Sequence, residues 1–114
     1  MSTLKTIPLS KQERRALAAA VTALKDRFPV EQVLLFGSRA RGEGDAESDL
    51  DLLVLTTREM DWTERRSIVD ALFDIELVHD VLLSPLIVSG QEWRQGPYRI
   101  LPIHDEIARD GVVV

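Results

Sequence analysis

Two aspartates stand at the start of an apolar run, and they constrain this chain more than any other feature. The run "SDLDLLVL" places Asp49 and Asp51 where a buried strand is expected. Aspartate is a poor strand former, and burying its carboxylate is costly unless a partner neutralises the charge. Two such residues within three positions indicate a functional site rather than a packing solution.

The spacing of the two aspartates suits a hard cation. Side chains on a strand alternate between faces, so Asp49 and Asp51 share one face while Leu50 and Leu52 share the other. Two carboxylates on one face can hold a divalent ion together. Ligand sets made only of oxygen select Mg²⁺ or Mn²⁺ over Zn²⁺, and substrate phosphates normally fill the remaining positions of bound magnesium.

A Gly-Ser pair follows the preceding apolar segment "EQVLLF" and supplies features suited to phosphate. Gly37 has no side chain, so a ligand can approach its backbone closely, and Ser38 adds a hydroxyl. A helical turn near Ser38 to Arg41 would direct free N–H groups towards an anion. Arg39 and Arg41 are candidate phosphate contacts, with solvated surface charge as the alternative interpretation.

The stretch "LLFGSRARGEGDAESDLDLLVL", from Leu34 to Leu55, resembles the signature of the DNA polymerase beta-like nucleotidyltransferase superfamily. It has an apolar strand, Gly-Ser, a spacer of about ten residues, and Asp-x-Asp in a second apolar strand. The chain is similar to the minimal nucleotidyltransferases of this superfamily. The resemblance implies an α/β (α+β) fold with a small mixed β-sheet flanked by helices, palm-like, as one nucleotidyltransferase domain over residues 1–114.

The resemblance also implies a reaction. It is the transfer of a nucleoside monophosphate from ATP or another nucleoside triphosphate, dependent on Mg²⁺ or Mn²⁺, with release of pyrophosphate. Gly37 and Ser38 would hold the triphosphate, and Asp49 and Asp51 would bind the metal and act in catalysis.

Members of this superfamily carry a third carboxylate on the next core strand. Asp80, in "VHDVLLS", is the best match, with Glu76 and Asp74 as runners-up on the preceding helix. Asp80 would complete the metal site and help to deprotonate the attacking hydroxyl. The alternative is that Asp80 is a solvated aspartate at a loop or helix end. The protein could then still bind nucleotide, but its transfer rate would be strongly reduced.

The expected acceptor follows from the same resemblance. Minimal nucleotidyltransferases are similar to the antitoxin half of two-protein modules whose toxin is a helical HEPN-type RNase. The implied reaction places AMP on a hydroxyl of that partner, with tyrosine the expected residue. Two alternatives stay open: transfer to a small-molecule acceptor, and a non-catalytic binding module that blocks its partner sterically. With 114 residues, little chain remains for a separate acceptor-binding domain.

Composition excludes several other classes of protein. The net charge of -5 argues against autonomous nucleic-acid binding. The absence of cysteine excludes disulfide scaffolds, thiolate zinc sites and cysteine nucleophiles. No apolar run approaches the roughly 18 residues of a membrane span, and nothing resembles a signal peptide, so we expect a cytoplasmic protein without membrane contact.

The chain is predicted to fold in the order α-β-β-α-β-α. Ser10 and Asp61 are predicted helix caps, each with a glutamate three residues later. The spacing of apolar residues in the second helix predicts an inward face made of Ile68, Val69, Leu72, Phe73 and Leu77. A third strand is expected from Asp80, and Pro85 suggests either that this strand lies at a sheet edge or that it carries a bulge there.

The C-terminal part is predicted to hold one helix. "GQEWRQGPY" is interpreted as a loop, with core or interface packing favoured over base stacking for Trp93 and Tyr98. The helix in "RILPIHDEIARD" is predicted to direct Ile100, Ile103 and Ile107 inward and to end at Gly111. The terminal valines are predicted to add a small strand.

Overall fold

The computed structural model describes residues 3–44 and 48–114. The helices are α1 (Lys11–Arg27), α2 (Trp62–His79), α3 (Gly90–Gln95) and α4 (Pro102–Asp110), and a 3₁₀ turn covers Pro97–Ile100. The strands are β1 (Val30–Phe36), β2 (Leu50–Thr56), β3 (Leu83–Ser89) and β4 (Val112–Val113). The predicted fold class, a small mixed sheet flanked by helices, is confirmed.

The four strands form one sheet in the order β3-β2-β1-β4. β1 pairs antiparallel with β2 and β4, whereas β2 and β3 are parallel. A parallel pair needs a crossover, and α2 provides it. β3 is an edge strand, as Pro85 predicted, and the terminal valines form the short β4 at the other edge.

Both faces of the central strand β2 are covered by helices. Alternation along the strand sends Leu50, Leu52 and Val54 into the core beneath α1 and α2. Leu53 and Leu55 point the opposite way, into a smaller core with Trp93 and Ile107 from α3 and α4. Asp51 shares this second side of the sheet, because it is separated from Leu53 by two positions.

The helix starts follow their sequence signals. The hydroxyl of Ser10 accepts a hydrogen bond from the Glu13 amide at 3.0 Å, and the Glu13 carboxylate accepts one from the Ser10 amide. Asp61 and Glu64 form the same reciprocal pair at α2. Within the described ranges, no helix is both long and apolar enough to cross a membrane.

Two predictions about the C-terminal part are wrong. The predicted loop after β3 contains α3, whose start is capped by Ser89: its hydroxyl accepts from the Glu92 amide at 3.1 Å. The spacing of Ser89 and Glu92 is a helix-start signal that could have revealed this helix. Ile100 lies in the 3₁₀ turn and is 87% exposed rather than inward, because the turn ends before α4 begins.

The predicted inward face of α2 is also wrong in part. Ile68 and Leu72 are buried as expected. Val69, Phe73 and Leu77 instead lie on the exposed side of the helix. The sequence carries two adjacent apolar stripes here, and the rotation of α2 on the sheet buries only one of them.

Candidate active site

The loop after β1 passes directly against the carboxylate of Asp51. Phe36, the last residue of β1, pairs with Asp51 in the antiparallel register, and Gly37 follows it. Gly37 has a φ of 79°, and a Cβ there would overlap the Asp51 carboxylate and lie 3.3 Å from its Cγ. Only glycine combines this backbone conformation with such a close approach.

The loop then makes the predicted helical turn. The Ala40 and Arg41 amides donate to the Gly37 carbonyl at 3.2 and 3.3 Å, and the Gly42 amide donates to Arg39 at 3.3 Å. The Glu43 amide donates to the Ser38 carbonyl at 2.8 Å and folds the chain back. The rest of the predicted spacer, residues 45–47, lies outside the described residues.

Two serine hydroxyls flank Gly44, one from each end of this loop. A Cβ on Gly44 would lie 2.9 Å from Ser38 Oγ and 3.0 Å from Ser48 Oγ. The sequence prediction included Ser38 but missed Gly44 and Ser48. The folded loop therefore brings hydroxyl groups from its beginning and end beside the start of β2.

Asp49 and Asp51 together make this end of β2 strongly negative. Asp49 is exposed and immediately precedes the strand, while Asp51 is partly buried within it. Burial raises the pKa of Asp51, and the negative charges of Asp49 and Glu106 raise that pKa further. The folded chain thus holds carboxylates near one another at an electrostatic cost that a bound cation would relieve.

Glu106 on α4 contributes to this site, although the sequence analysis did not single it out. Its charge acts on Asp51, and its Oε1 lies 2.9 Å from Nη1 of Arg41. Arg41 also lies 3.4 Å from Glu43. No local pattern links Glu106 to the Gly-Ser loop, because the two meet only when α4 folds against the second side of the sheet.

Arg39 has a different position from the one predicted for it. Its guanidinium forms two contacts with Glu13 of α1, at 2.7 and 2.8 Å, and donates a longer hydrogen bond to the Ser48 carbonyl at 3.4 Å. The side chain is only 6% exposed. Arg39 therefore ties α1 to both ends of the loop, and its buried position also differs from the solvated surface charge given as the alternative.

The buried partner of Arg39 is held in its ionised form. Burial alone would raise the pKa of Glu13. The hydrogen bonds from Arg39 and Ser10 and the positive charge of Arg39 outweigh burial, so the pKa of Glu13 falls below its ordinary value of 4.5. The pair is thus a charged contact inside the fold rather than a surface ion pair.

Asp80 does not open the third strand as predicted. It is the C-cap of α2, in the left-handed conformation with a φ of 53°, and β3 begins three residues later at Leu83. Its carbonyl accepts a hydrogen bond from Gln12 Nε2 at 3.3 Å. Asp80 lines a cavity of about 640 Å³ together with residues of α1 and α2, and Asp51 is not among the residues that line this cavity.

The position beside Asp51 on β3 is occupied by Ser84. The parallel register pairs Asp51 with Ser84, so the two side chains share a face. Among residues 3–44 and 48–114, no three His, Asp or Glu side chains are grouped to hold a metal ion. The described residues thus supply the carboxylate of Asp51 from β2, that of Asp49 just before the strand, and a hydroxyl from β3.

Residues 20–92 match the family model of the polymerase beta nucleotidyltransferase domain. Three related proteins of Methanocaldococcus jannaschii carry the name "Putative protein adenylyltransferase". One is 41% identical over 66 residues, covering 58% of this chain and 65% of that protein. Another is 41% identical over 84 residues, covering 74% of this chain and 80% of that protein.

Solved structures share the fold at lower sequence identity. A structure described as a "putative minimal nucleotidyltransferase" superposes with a TM-score of 0.61 at 24% identity, covering 94% of this chain and 98% of that chain. A toxin-antitoxin structure containing AMP-PNP superposes with a TM-score of 0.58 at 18% identity, covering 84% of this chain and 69% of that chain.

Proposed function

This chain belongs to the polymerase beta nucleotidyltransferase family, and we propose that it transfers AMP from ATP to a hydroxyl group of a partner protein. A single domain carries the site. The observation that supports the proposal most directly is the close approach of Gly37 to the Asp51 carboxylate. The Gly37 backbone, which would bind phosphate, therefore lies next to the Asp51 carboxylate, which would bind a metal ion.

The side chains at this place fit a hard divalent cation. Asp49 and Asp51 offer only carboxylate oxygens, and the raised pKa of Asp51 reflects excess negative charge. These two residues would hold Mg²⁺ or Mn²⁺. A bound ion would supply positive charge to the phosphates and orient them for displacement.

The loop residues have separate roles in the proposed reaction. Gly37 leaves room for a phosphate oxygen beside its backbone, and Ser38 donates its hydroxyl to the triphosphate. Arg41 lies exposed on the same side, paired with Glu106, and is positioned by that pair for a phosphate contact. Arg39 positions the loop through Glu13 and Ser48 and does not contact the nucleotide.

The proposed acceptor is a tyrosine hydroxyl on a helical HEPN-type toxin, which makes this chain an antitoxin acting in the cytoplasm. The names of the related adenylyltransferases and the shared fold of the toxin-antitoxin structure support a protein acceptor. Attachment of AMP would add a charged, bulky group to the toxin and silence it.

The test is transfer of label from α-labelled ATP in the presence of Mg²⁺ and an extract of the source cells. Wild-type protein should label one protein band, and Asp51→Asn should abolish that band. Asp26→Asn, at the exposed end of α1, is the matched control and should behave like wild type. A band that persists in Asp51→Asn would contradict the proposed site. Label on a small molecule, seen by thin-layer chromatography, would identify a different acceptor.

Ser84 supports a second candidate function, a non-catalytic module that binds nucleotide and blocks its partner sterically. The register puts a hydroxyl, not a third carboxylate, beside Asp51. If this candidate is correct, wild-type protein binds Mg²⁺-ATP and the partner without transferring label. Ser84→Asp would then be expected to restore a measurable rate. If wild-type protein transfers label, and Ser84→Asp leaves that rate unchanged or lowers it, the non-catalytic module is excluded.

A further inference from the structure

The outward side of α2 carries a row of large apolar side chains. Trp62, Val69, Phe73 and Leu77 are 73%, 45%, 54% and 67% exposed, and we refer to them as the α2 stripe. Their positions, seven, eleven and fifteen residues after Trp62, put them on one side of the helix. The inward side of α2 already packs through Ile68 and Leu72, so folding does not require the stripe. A contiguous exposed apolar patch of this kind marks an interaction surface.

Two charges of opposite sign lie beside the α2 stripe and favour one kind of partner. Arg66 lies in the first half of the helix, and Glu76 lies in the second half. Arg66 and Glu76 flank the stripe near its two ends, and both line the shallow depression around Val69 and Phe73. A helix with this arrangement is complementary to a copy of itself turned end to end.

We propose that α2 packs antiparallel against α2 of a second copy of this chain. A two-fold axis near Ala71 would put Val69 opposite Phe73 of the other copy and Arg66 opposite Glu76. Trp62 would cover the Leu77 end of the other stripe. A parallel pairing would instead bring Arg66 against Arg66, so the charges select one orientation.

The dimer leaves the candidate active site open. α2 packs on the side of the sheet that receives Leu50 and Leu52. Asp51 points to the opposite side, towards α4. Both copies can therefore bind nucleotide, and the dimer can be tested without reference to transfer activity.

The first experiment is the molar mass of the purified full chain by light scattering over a range of concentrations. Wild type should show a concentration-dependent mass that reaches twice that of one chain. Phe73→Glu should raise the dimer dissociation constant at least about tenfold. Ile100→Glu is the control, because Ile100 is apolar and more exposed than Phe73 (87% against 54%) but lies in the 3₁₀ turn rather than on α2, and it should leave the dimer intact. Circular dichroism would verify the fold of each variant.

The second experiment tests orientation, and it uses the absence of cysteine in this chain. Val69→Cys and Phe73→Cys chains of different tag length are mixed and oxidised mildly. The antiparallel dimer should give mainly mixed disulfides, whereas a parallel one would give mainly disulfides between like chains.

Three results would overturn the proposal. One is a monomer at all concentrations. Another is a dimer insensitive to Phe73→Glu, and the third is a preference for disulfides between like chains. If the chain is a monomer and binds another protein in a way that Phe73→Glu abolishes, then the α2 stripe is the binding surface for that protein. Self-association through α2 would then be refuted.

Discussion

The two sides of the loop between β1 and β2 carry the same residue type in opposite environments. Arg39 points inward and is buried against Glu13 of α1. Arg41 points outward and pairs with Glu106 of α4 at an exposed position. The sequence offered phosphate contact as a candidate role for both, with solvated surface charge as the alternative. Their different surroundings show that burial, rather than residue type, decides which arginine holds the loop and which can meet a ligand.

The buried Arg39 should contribute more to the stability of the fold than the exposed Arg41. Arg39→Ala leaves the Glu13 carboxylate buried without its partner, so we expect a loss of about 3–5 kcal/mol in the free energy of unfolding. Arg41→Ala removes an exposed pair and should leave the free energy of unfolding nearly unchanged. Urea denaturation followed by circular dichroism measures both values. Equal losses in the free energy of unfolding for the two variants would contradict the different roles assigned to Arg39 and Arg41.

A replacement of both inner partners would sharpen the same point. Glu13→Leu combined with Arg39→Met removes the two charges together and should recover much of the stability lost in Arg39→Ala. Failure to recover would indicate that Arg39 acts mainly through Ser48 and the loop end.

The next largest effect is expected where the loop touches Asp51. Gly37 and Gly42 both have positive φ, 79° and 77°, so alanine at either position should cost about 1–2 kcal/mol in the free energy of unfolding. Only at Gly37 would the added Cβ meet the Asp51 carboxylate. Calorimetric titration with Mn²⁺-ATP should therefore show binding lost in Gly37→Ala and retained in Gly42→Ala. Wild-type affinity in Gly37→Ala would place the phosphate elsewhere.

The dependence of stability on pH should have opposite signs at the two carboxylates. The lowered pKa of Glu13 stabilises the fold above pH 4.5, and this contribution is lost as the pH falls through the folded-state pKa. The raised pKa of Asp51 does the reverse: without metal, the fold loses stability as the pH rises through that pKa.

Asp51→Asn isolates the second of these contributions. Without metal it should be more stable than wild type at pH 7, and the difference should shrink as the pH is lowered through the raised pKa of Asp51. Thermal unfolding across pH 3 to 8 in the presence of a chelator measures it. A constant difference across this range would mean that the pKa of Asp51 is not raised.

The smallest effect is expected on the outer side of the loop. Arg41→Ala should weaken ATP binding by about two- to tenfold, since one exposed charged contact contributes only modestly to affinity. Arg58→Ala is the matched control, because Arg58 is also exposed and paired, with Glu64 at the start of α2. Equal affinities in the two variants would remove Arg41 from the site.

Much of the fold could be predicted because its signals are local. The capping pairs at Ser10 and Asp61 and the edge position indicated by Pro85 follow from short segments, whereas the mixed sheet was expected from the family resemblance. α3 was missed although the Ser89 signal was present, because Gly90 and Gly96 in the same segment favoured a loop. The exposed side of α2 could not be predicted, since the sequence does not specify how a helix with two apolar stripes rotates on its sheet.

The sequence alone determined the parts of the candidate site that lie within one short segment. Gly37 and Ser38 follow one apolar segment, and Asp49 and Asp51 stand at the start of the next, so both pairs could be identified from the order of residues. Only the tertiary structure decided that Arg39 pairs with Glu13, that Glu106 acts on Asp51 and that Ser84 lies beside it. These contacts join residues far apart in the chain, so they depend on strand register and helix packing rather than on local steric and hydrogen-bonding preferences.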